Sequence, residues 1–321
     1  KKSIITHWSW EEDGTPTEKE VYFRPYLYVP STDKKKFDAT GIDGIPLVKR
    51  EFDYEWERQK FVKSNKGTLY FNLPPTQQYL LENYYTSDIA DLTRFPLRTF
   101  FFDIEVIANE FPKADEAKFP ITSITIYDSK TKKYYVWGIK KYDDYSCKED
   151  LVGIEPDEIV YSFCMNERDL MTKFLKFWRK NFPDLIVGFN SYSFDIPYIV
   201  NRLNTLFGED ASAKLSPVDN IYGSEKINKF QQRYIEYTIG GIAHIDYMVL
   251  YKKFALEPQE SYKLDYIGEV ELDDQKISYE GSLWDLSVKD WETYVDYNIQ
   301  DVKLVVDLDE EYADQQQQQF Y

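Results

Sequence analysis

The chain has 321 residues, 43% of them hydrophobic, which is enough to build one large domain or two ordinary ones around a real core. Its 56 acidic against 39 basic side chains give a formal charge of -17, so unaided binding to a phosphate backbone is disfavoured and any nucleic-acid role needs bound cations, local basic patches such as Lys34 to Lys36, or a basic partner. Two cysteines, Cys147 and Cys164, exclude a disulfide framework and a structural zinc site, and no apolar run reaches the roughly 18 residues of a membrane span.

In chain order, residues 1 to 96 combine short aromatic-rich strands, Val21 to Val29 and Thr68 to Leu73, with polar turns and a charged stretch from Lys49 to Lys66. They read as a small mixed domain. Pro96 precedes Leu97 to Val106, an apolar run that reads as a buried strand and opens the second domain, 97–312. Strands over Ile121 to Tyr127 and Lys133 to Ile139 complete an expected antiparallel meander, and a further strand falls near Ile159 to Phe163. Asn166 can cap a helix running to about Asn181, with Leu170, Phe174, Leu175 and Trp178 at helical spacing.

Asp184 to Phe189 then reads as a strand, Asn190 to Phe194 as a loop, and Ile196 to Phe207 as a helix with Pro197 in its first turn and Gly208 as its stop. An irregular hairpin follows over 218–242, short helices over His244 to Phe254 and Tyr262 to Val270, and a long helix from about Val288 to Glu311. Residues 313–321, rich in Gln, read as a solvated polar tail. Strands first, then helices alternating with strands, imply an α/β (α+β) fold with a mixed central sheet flanked by helices.

The chemistry lies in separated carboxylates. Asp103 and Glu105 are two residues apart in an otherwise apolar strand, so both project from one face. Burying adjacent carboxylates costs several kcal/mol unless cations, protons or water meet them. The plain alternative, the wet face of an edge strand, sits poorly with Phe100, Phe101, Phe102, Ile104 and Val106 around them. Asp195 stands where a strand and loop give way to a helix, a place that suits an N-cap but is also where open sheets put their sites. Tyr297 and Asp301, four apart, share a face of the long helix, where an ordinary surface charge is the competing explanation for Asp301.

Together these segments resemble the proofreading exonuclease of family B DNA polymerases, in particular those of T-even-like bacteriophages. Phe102-Asp103-Ile104-Glu105-Val106 is similar to the first exonuclease motif, Asn190-Ser191-Tyr192-Ser193-Phe194-Asp195 to the second, and Tyr297-Asn298-Ile299-Gln300-Asp301 to the third. The resemblance covers roughly residues 98 to 306 well and the first 96 loosely, with Tyr222-Gly223-Ser224 and Tyr251-Lys252-Lys253-Phe254 also similar to the phage group.

It implies a ribonuclease-H-like domain that trims single-stranded or frayed DNA 3′ ends, while the sparse cysteines fit a reducing, cytoplasmic setting, that of an infected host cell if the chain is phage-encoded. A two-ion site of Mg²⁺ or Mn²⁺ would be held by Asp103 as the bridging ligand, Glu105 and Asp301 on the ion that activates water, and Asp195 on the second ion. Tyr297 would orient the attacking water, Lys276 would contact the scissile phosphate, and Asn190, Phe194 and Phe111 would touch DNA. The family's palm, fingers and thumb have no counterpart here, so a polymerase domain in cis or trans is the expected partner. The competing reading from another class is a non-catalytic module that binds RNA or a replication protein.

Overall fold

The computed structural model describes residues 3–10, 16–33, 35–85, 97–108, 110–142, 151, 153–227, 233–255 and 258–319. Lys34, Cys147 and the expected boundary at Pro96 lie outside the described residues. The chain divides into two compact units, Lys1–Pro96 and Leu97–Tyr321.

In the first unit, β1 (Ile4–Trp10) and β2 (Pro16–Tyr22) form an antiparallel pair, and β3 (Tyr26–Pro30), β4 (Ala39–Thr40) and β5 (Pro46–Glu51) form a three-stranded sheet in the order β3-β5-β4. The single strand expected over Val21 to Val29 is therefore two strands in two sheets. Pro25, with no N–H to donate, lies in the break between them. The charged stretch from Lys49 supplies the end of β5 and helix α1 (Glu55–Ser64), and Thr68 to Leu73 contributes a lone bridge, Tyr28 to Tyr70, rather than a strand. Helix α2 (Pro75–Tyr84) is tied to β3 by the buried Gln78 amide, which accepts from Tyr26 N at 3.1 Å and donates to Tyr26 O at 2.6 Å.

The second unit is built on a six-stranded mixed sheet in the order β13-β10-β6-β7-β8-β9. Its centre is β6 (Thr99–Val106), β7 (Ile121–Asp128) and β8 (Lys133–Gly138), an antiparallel meander as the sequence implies, with β9 (Ile159–Phe163) parallel to β8. On the other side of β6, β10 (Leu185–Gly188) and β13 (Ala243–Asp246) run parallel to it. The helix expected to begin at His244 thus starts three residues later, because His244, Ile245 and Asp246 pair with β10 first.

Period 2 along β6 divides its side chains between two cores. Phe100, Phe102, Ile104 and Val106 enter one, shared with α3 (Glu167–Lys180) and α4 (Asp195–Phe207); Phe101 enters the other, shared with α5 (Tyr247–Phe254), α6 (Leu264–Leu272), α7 (Leu283–Lys289) and α8 (Trp291–Gln319). Helix α3 begins as its sequence dictates, with Asn166 Oδ1 accepting from Asp169 N at 3.0 Å. It buries Leu170, Met171, Phe174, Leu175 and Trp178, each side chain contributing about 1.5–3 kcal/mol through lost apolar exposure. The long C-terminal helix begins at Trp291 rather than Val288, after the separate α7, and continues through the Gln-rich segment to Gln319. Among the described residues no helix is long and apolar enough to cross a membrane.

Candidate active site

β6 is an interior strand, so the carboxylates of Asp103 and Glu105 are not on a wet sheet edge. They project towards α8 at the carboxyl end of the strand, the edge at which open sheets collect their sites. Opposite the step from Glu105 to Val106 the partner strand carries one extra residue, Thr122 of β7, a β-bulge that interrupts the regular pairing there. Thr122 fixes the bulge, donating to Glu105 O at 3.2 Å and meeting the Tyr294 hydroxyl of α8 at 2.7 Å.

Asp195 arrives by a different route. β10 pairs with β6 only along Thr99 to Phe101, then turns away and leaves the edge of β6 beside Ile104 open. The turn is tight. A Cβ on Gly188 would lie 2.7 Å from Ser191 Cβ and 3.2 Å from the Phe102 ring, and Asn190 takes the left-handed conformation at φ 62°. Phe194, not Asp195, is the N-cap of α4, which makes Asp195 the first helical residue. Its carboxylate is buried, with the backbone at Asp195 and Ile104 favouring its charged form.

One oxygen from each of Asp103, Glu105 and Asp301 lies within 4.8 Å of the other two. Asp195 stands outside that tight triangle, yet close enough for its charge to act on Asp103 and Glu105. Burial, then the charges of Asp195, Glu105 and Asp301, push the Asp103 carboxyl well above the usual carboxylate range, and burial followed by the Asp301 charge does the same to Glu105. Burial lifts Asp195 to about 7, although its backbone hydrogen bonds pull the other way, and it raises Asp301 against the opposing pull of Lys276.

Lys276 is the only ammonium or guanidinium group bonded to these four carboxylates among the described residues: it binds Asp301 and lies 3.0 Å from the Tyr297 hydroxyl. Burial works against its charge, but Asp301 and Tyr297 outweigh that and keep it protonated. Burial and the Asp301 charge raise the Tyr297 phenol, whose ring meets Tyr279 edge-on at 5.5 Å.

The donor set fits hard divalent cations. All four groups offer carboxylate oxygens, no sulfur or imidazole joins them among the described residues, and the buried Oδ1 of Asp301 has no hydrogen-bond partner. One ammonium set against four carboxylates leaves a surplus of negative charge that a cation would meet.

The structure thus brings Asp103, Glu105, Asp195, Tyr297, Asp301 and Lys276 to one place, while the other expected DNA contacts differ among themselves. Phe111 is 85% exposed on the segment after β6. Phe194 is partly buried and packs on Tyr198, and the Asn190 amide oxygen accepts from Ser193 Oγ at 2.7 Å.

Two residues escaped the sequence reading. Asp246 caps α5 through Met248 N and Val249 N, and it holds the turn before Asp195 by accepting from Asn190 N at 3.1 Å and Tyr192 N at 3.0 Å. A helix placed to start after Asp246 would have exposed this cap. Asn298 donates to Asp103 Oδ2 at 2.7 Å from within the Tyr-x-x-x-Asp segment, and no charge marks it in the sequence.

Comparison with known proteins identifies the family. Residues 75–267, which include Asp103, Glu105 and Asp195, match the model of the DNA polymerase family B exonuclease domain. The chain is 31% identical over 326 residues to the DNA-directed DNA polymerase of Escherichia phage RB69 and 27% identical over 324 residues to that of Enterobacteria phage T4. Each alignment covers 93% of this chain and 35% of the relative. A DNA polymerase of Pyrococcus glycovorans is 27% identical over 64% of this chain and 28% of its own length. The chain spans about a third of the two phage relatives, and it belongs to the family B DNA polymerase exonuclease domain family.

Proposed function

We propose that this chain is a metal-dependent 3′→5′ exonuclease module that hydrolyses phosphodiester bonds at single-stranded or frayed DNA 3′ ends, the proofreading portion of a replicative polymerase. The observation that carries the reading is the convergence of Asp103, Glu105 and Asp301 within 4.8 Å beside the buried Asp195. Asp103, Glu105, Asp195 and Asp301 would hold Mg²⁺ or Mn²⁺. Such ions lower the pKa of bound water, neutralise phosphoryl oxygens and stabilise a leaving oxygen.

The chain's own groups divide the remaining work. Tyr297, with its phenol raised by burial, keeps its proton at neutral pH and orients the attacking water through its hydroxyl rather than acting as general base. Lys276 contacts the scissile phosphate; its ammonium already stands against Tyr297 and Asp301. Phe111 stacks on a terminal base, which its exposure permits, and Asn190 and Phe194 line the approach to Asp195. Base stacking on an aromatic contributes about 1–3 kcal/mol, enough to compete for a frayed end but not to open a run of paired bases, so mismatched termini are preferred.

The test is digestion of a 5′-labelled single-stranded DNA oligonucleotide with Mg²⁺ or with chelator, by this chain and by an Asp103→Ala/Glu105→Ala variant. A ladder of shortened products with the intact chain and Mg²⁺ alone is expected. A ladder that persists in the variant or in chelator, or a folded intact chain that cuts nothing, contradicts the reading.

A further inference from the structure

Asn298 is fully buried and sits on α8 between Tyr297 and Asp301, three residues from the latter, so its side chain shares a helix face with that carboxylate. Its amide is held on both sides. Ser123 Oγ donates to Asn298 Oδ1 at 2.9 Å and Thr125 Oγ1 donates to the same oxygen at 2.7 Å, while Asn298 Nδ2 donates to Asp103 Oδ2 at 2.7 Å. Both hydroxyl residues are themselves fully buried, and in the β6–β7 ladder Thr125 stands opposite Asp103 and Ser123 opposite Glu105. The two hydroxyls therefore rise from the sheet beside the two carboxylates, and the helix lays one neutral amide across them.

This orientation of the amide has a physical cause. Turned over, it would set its oxygen against an Asp103 oxygen, two acceptors facing one another in a buried space. As placed, the Asn298 side chain accepts two hydrogen bonds at Oδ1 and spends one amide hydrogen in holding Oδ2 of Asp103. The donor is also uncharged. A lysine in its place would compete with a bound cation, as a neutral amide does not.

We propose that Asn298, oriented by Ser123 and Thr125, is a positioning residue that presets the Asp103 carboxylate for cation binding. The proposal rests on the metal-site reading above and adds to it a residue that sets ion affinity without touching ion or substrate. Partners that orient a ligating side chain in this way typically change metal affinity by about 10–100-fold when removed.

The experiment measures Mn²⁺ binding directly, by the electron paramagnetic resonance signal of free Mn²⁺, for the intact chain, Asn298→Ser, Ser123→Ala/Thr125→Val and Asp103→Ala, with circular dichroism and metal-free melting as checks on folding. Expected are a loss of about 10–100-fold in affinity for Asn298→Ser and a smaller loss, about 3–10-fold, for the hydroxyl pair, with nuclease turnover of both restored at saturating Mn²⁺. Folded variants that bind Mn²⁺ as tightly as the intact chain, while Asp103→Ala does not, overturn the positioning role and leave the metal site standing. An Asp103→Ala variant with unchanged Mn²⁺ affinity overturns both. Should Asn298→Ser fail to fold, the hydroxyl pair decides, and unchanged affinity there overturns the proposal.

Discussion

On the proposed reading, Tyr297 positions the attacking water and leaves removal of its proton to another group. Because burial and Asp301 raise its phenol, a Tyr297→Phe variant loses one hydrogen bond and not a base. Loss of a bond worth about 1 kcal/mol predicts a fall in turnover of roughly tenfold or less, with an unchanged pH profile and unchanged Mn²⁺ affinity. A steady-state comparison across pH checks this; a collapse of several powers of ten would assign Tyr297 the proton. At this scale the sequence was informative where geometry is local. Asp103 and Glu105 could be placed on one face because a strand has period 2, and their apolar neighbours argued for burial. Asp301 stayed ambiguous, since helical spacing shows which residues share a face but not what that face meets. Asn298 was invisible, because its importance depends on two hydroxyls more than 170 residues away, Ser123 and Thr125.

Among the elements, the turn between β10 and α4 is the one on which Asp195 depends. Gly188→Ala would press a methyl group against Ser191 Cβ, 2.7 Å from its ideal position, with the Phe102 ring close behind. Overpacking of this kind costs about 1–3 kcal/mol, and it should lower the melting temperature and the nuclease rate together, because the strain falls on the segment that carries Asp195. Thermal melting and the oligonucleotide assay check it; an unchanged rate would mean that the turn is not what positions Asp195.

The meander, the capped helix α3 and the hairpin of β11 (Ile221–Ile227) and β12 (Arg233–Ile239) were legible, since each carries strong local signals. β13 was not. Four residues running straight into an apolar helix give no period of their own, and their strand character comes from pairing with β10. The Gln-rich end was misjudged in the other direction: low complexity hid a run of good helix formers continuing α8.

For the whole molecule, the charge of -17 and the buried carboxylates make one statement about pH. Asp195 titrates near 7 in the folded chain and near 3.8 when exposed, so between those values the folded state binds more protons than the unfolded one. Stability in the absence of metal is therefore lost through this group as pH rises from about 4, and the penalty is complete above about 7. Asp195→Asn removes it. In chelator, the variant should exceed the intact chain in stability by on the order of 2–4 kcal/mol above pH 7 and by almost nothing at pH 4, measured as a difference so that groups outside the carboxylate cluster cancel. Among those is His244, whose depressed pKa of about 4, caused by burial, acts below the ordinary histidine range. A difference that does not grow with pH would contradict the electrostatic account of the site.

The second unit's α/β character, its mixed sheet and the gathering of distant acids could be anticipated from order and spacing. The distances between those acids could not, because they depend on how α8 packs over β6 and β7. The most direct test is accordingly structural: crystals soaked in Mn²⁺, with an anomalous difference map. The account predicts strong peaks bounded by Asp103, Glu105 and Asp301, with Asp195 drawn in as a ligand directly or through water, and Lys276 released from Asp301. A map with no peak among these carboxylates, in crystals whose site is open to solvent, would contradict it.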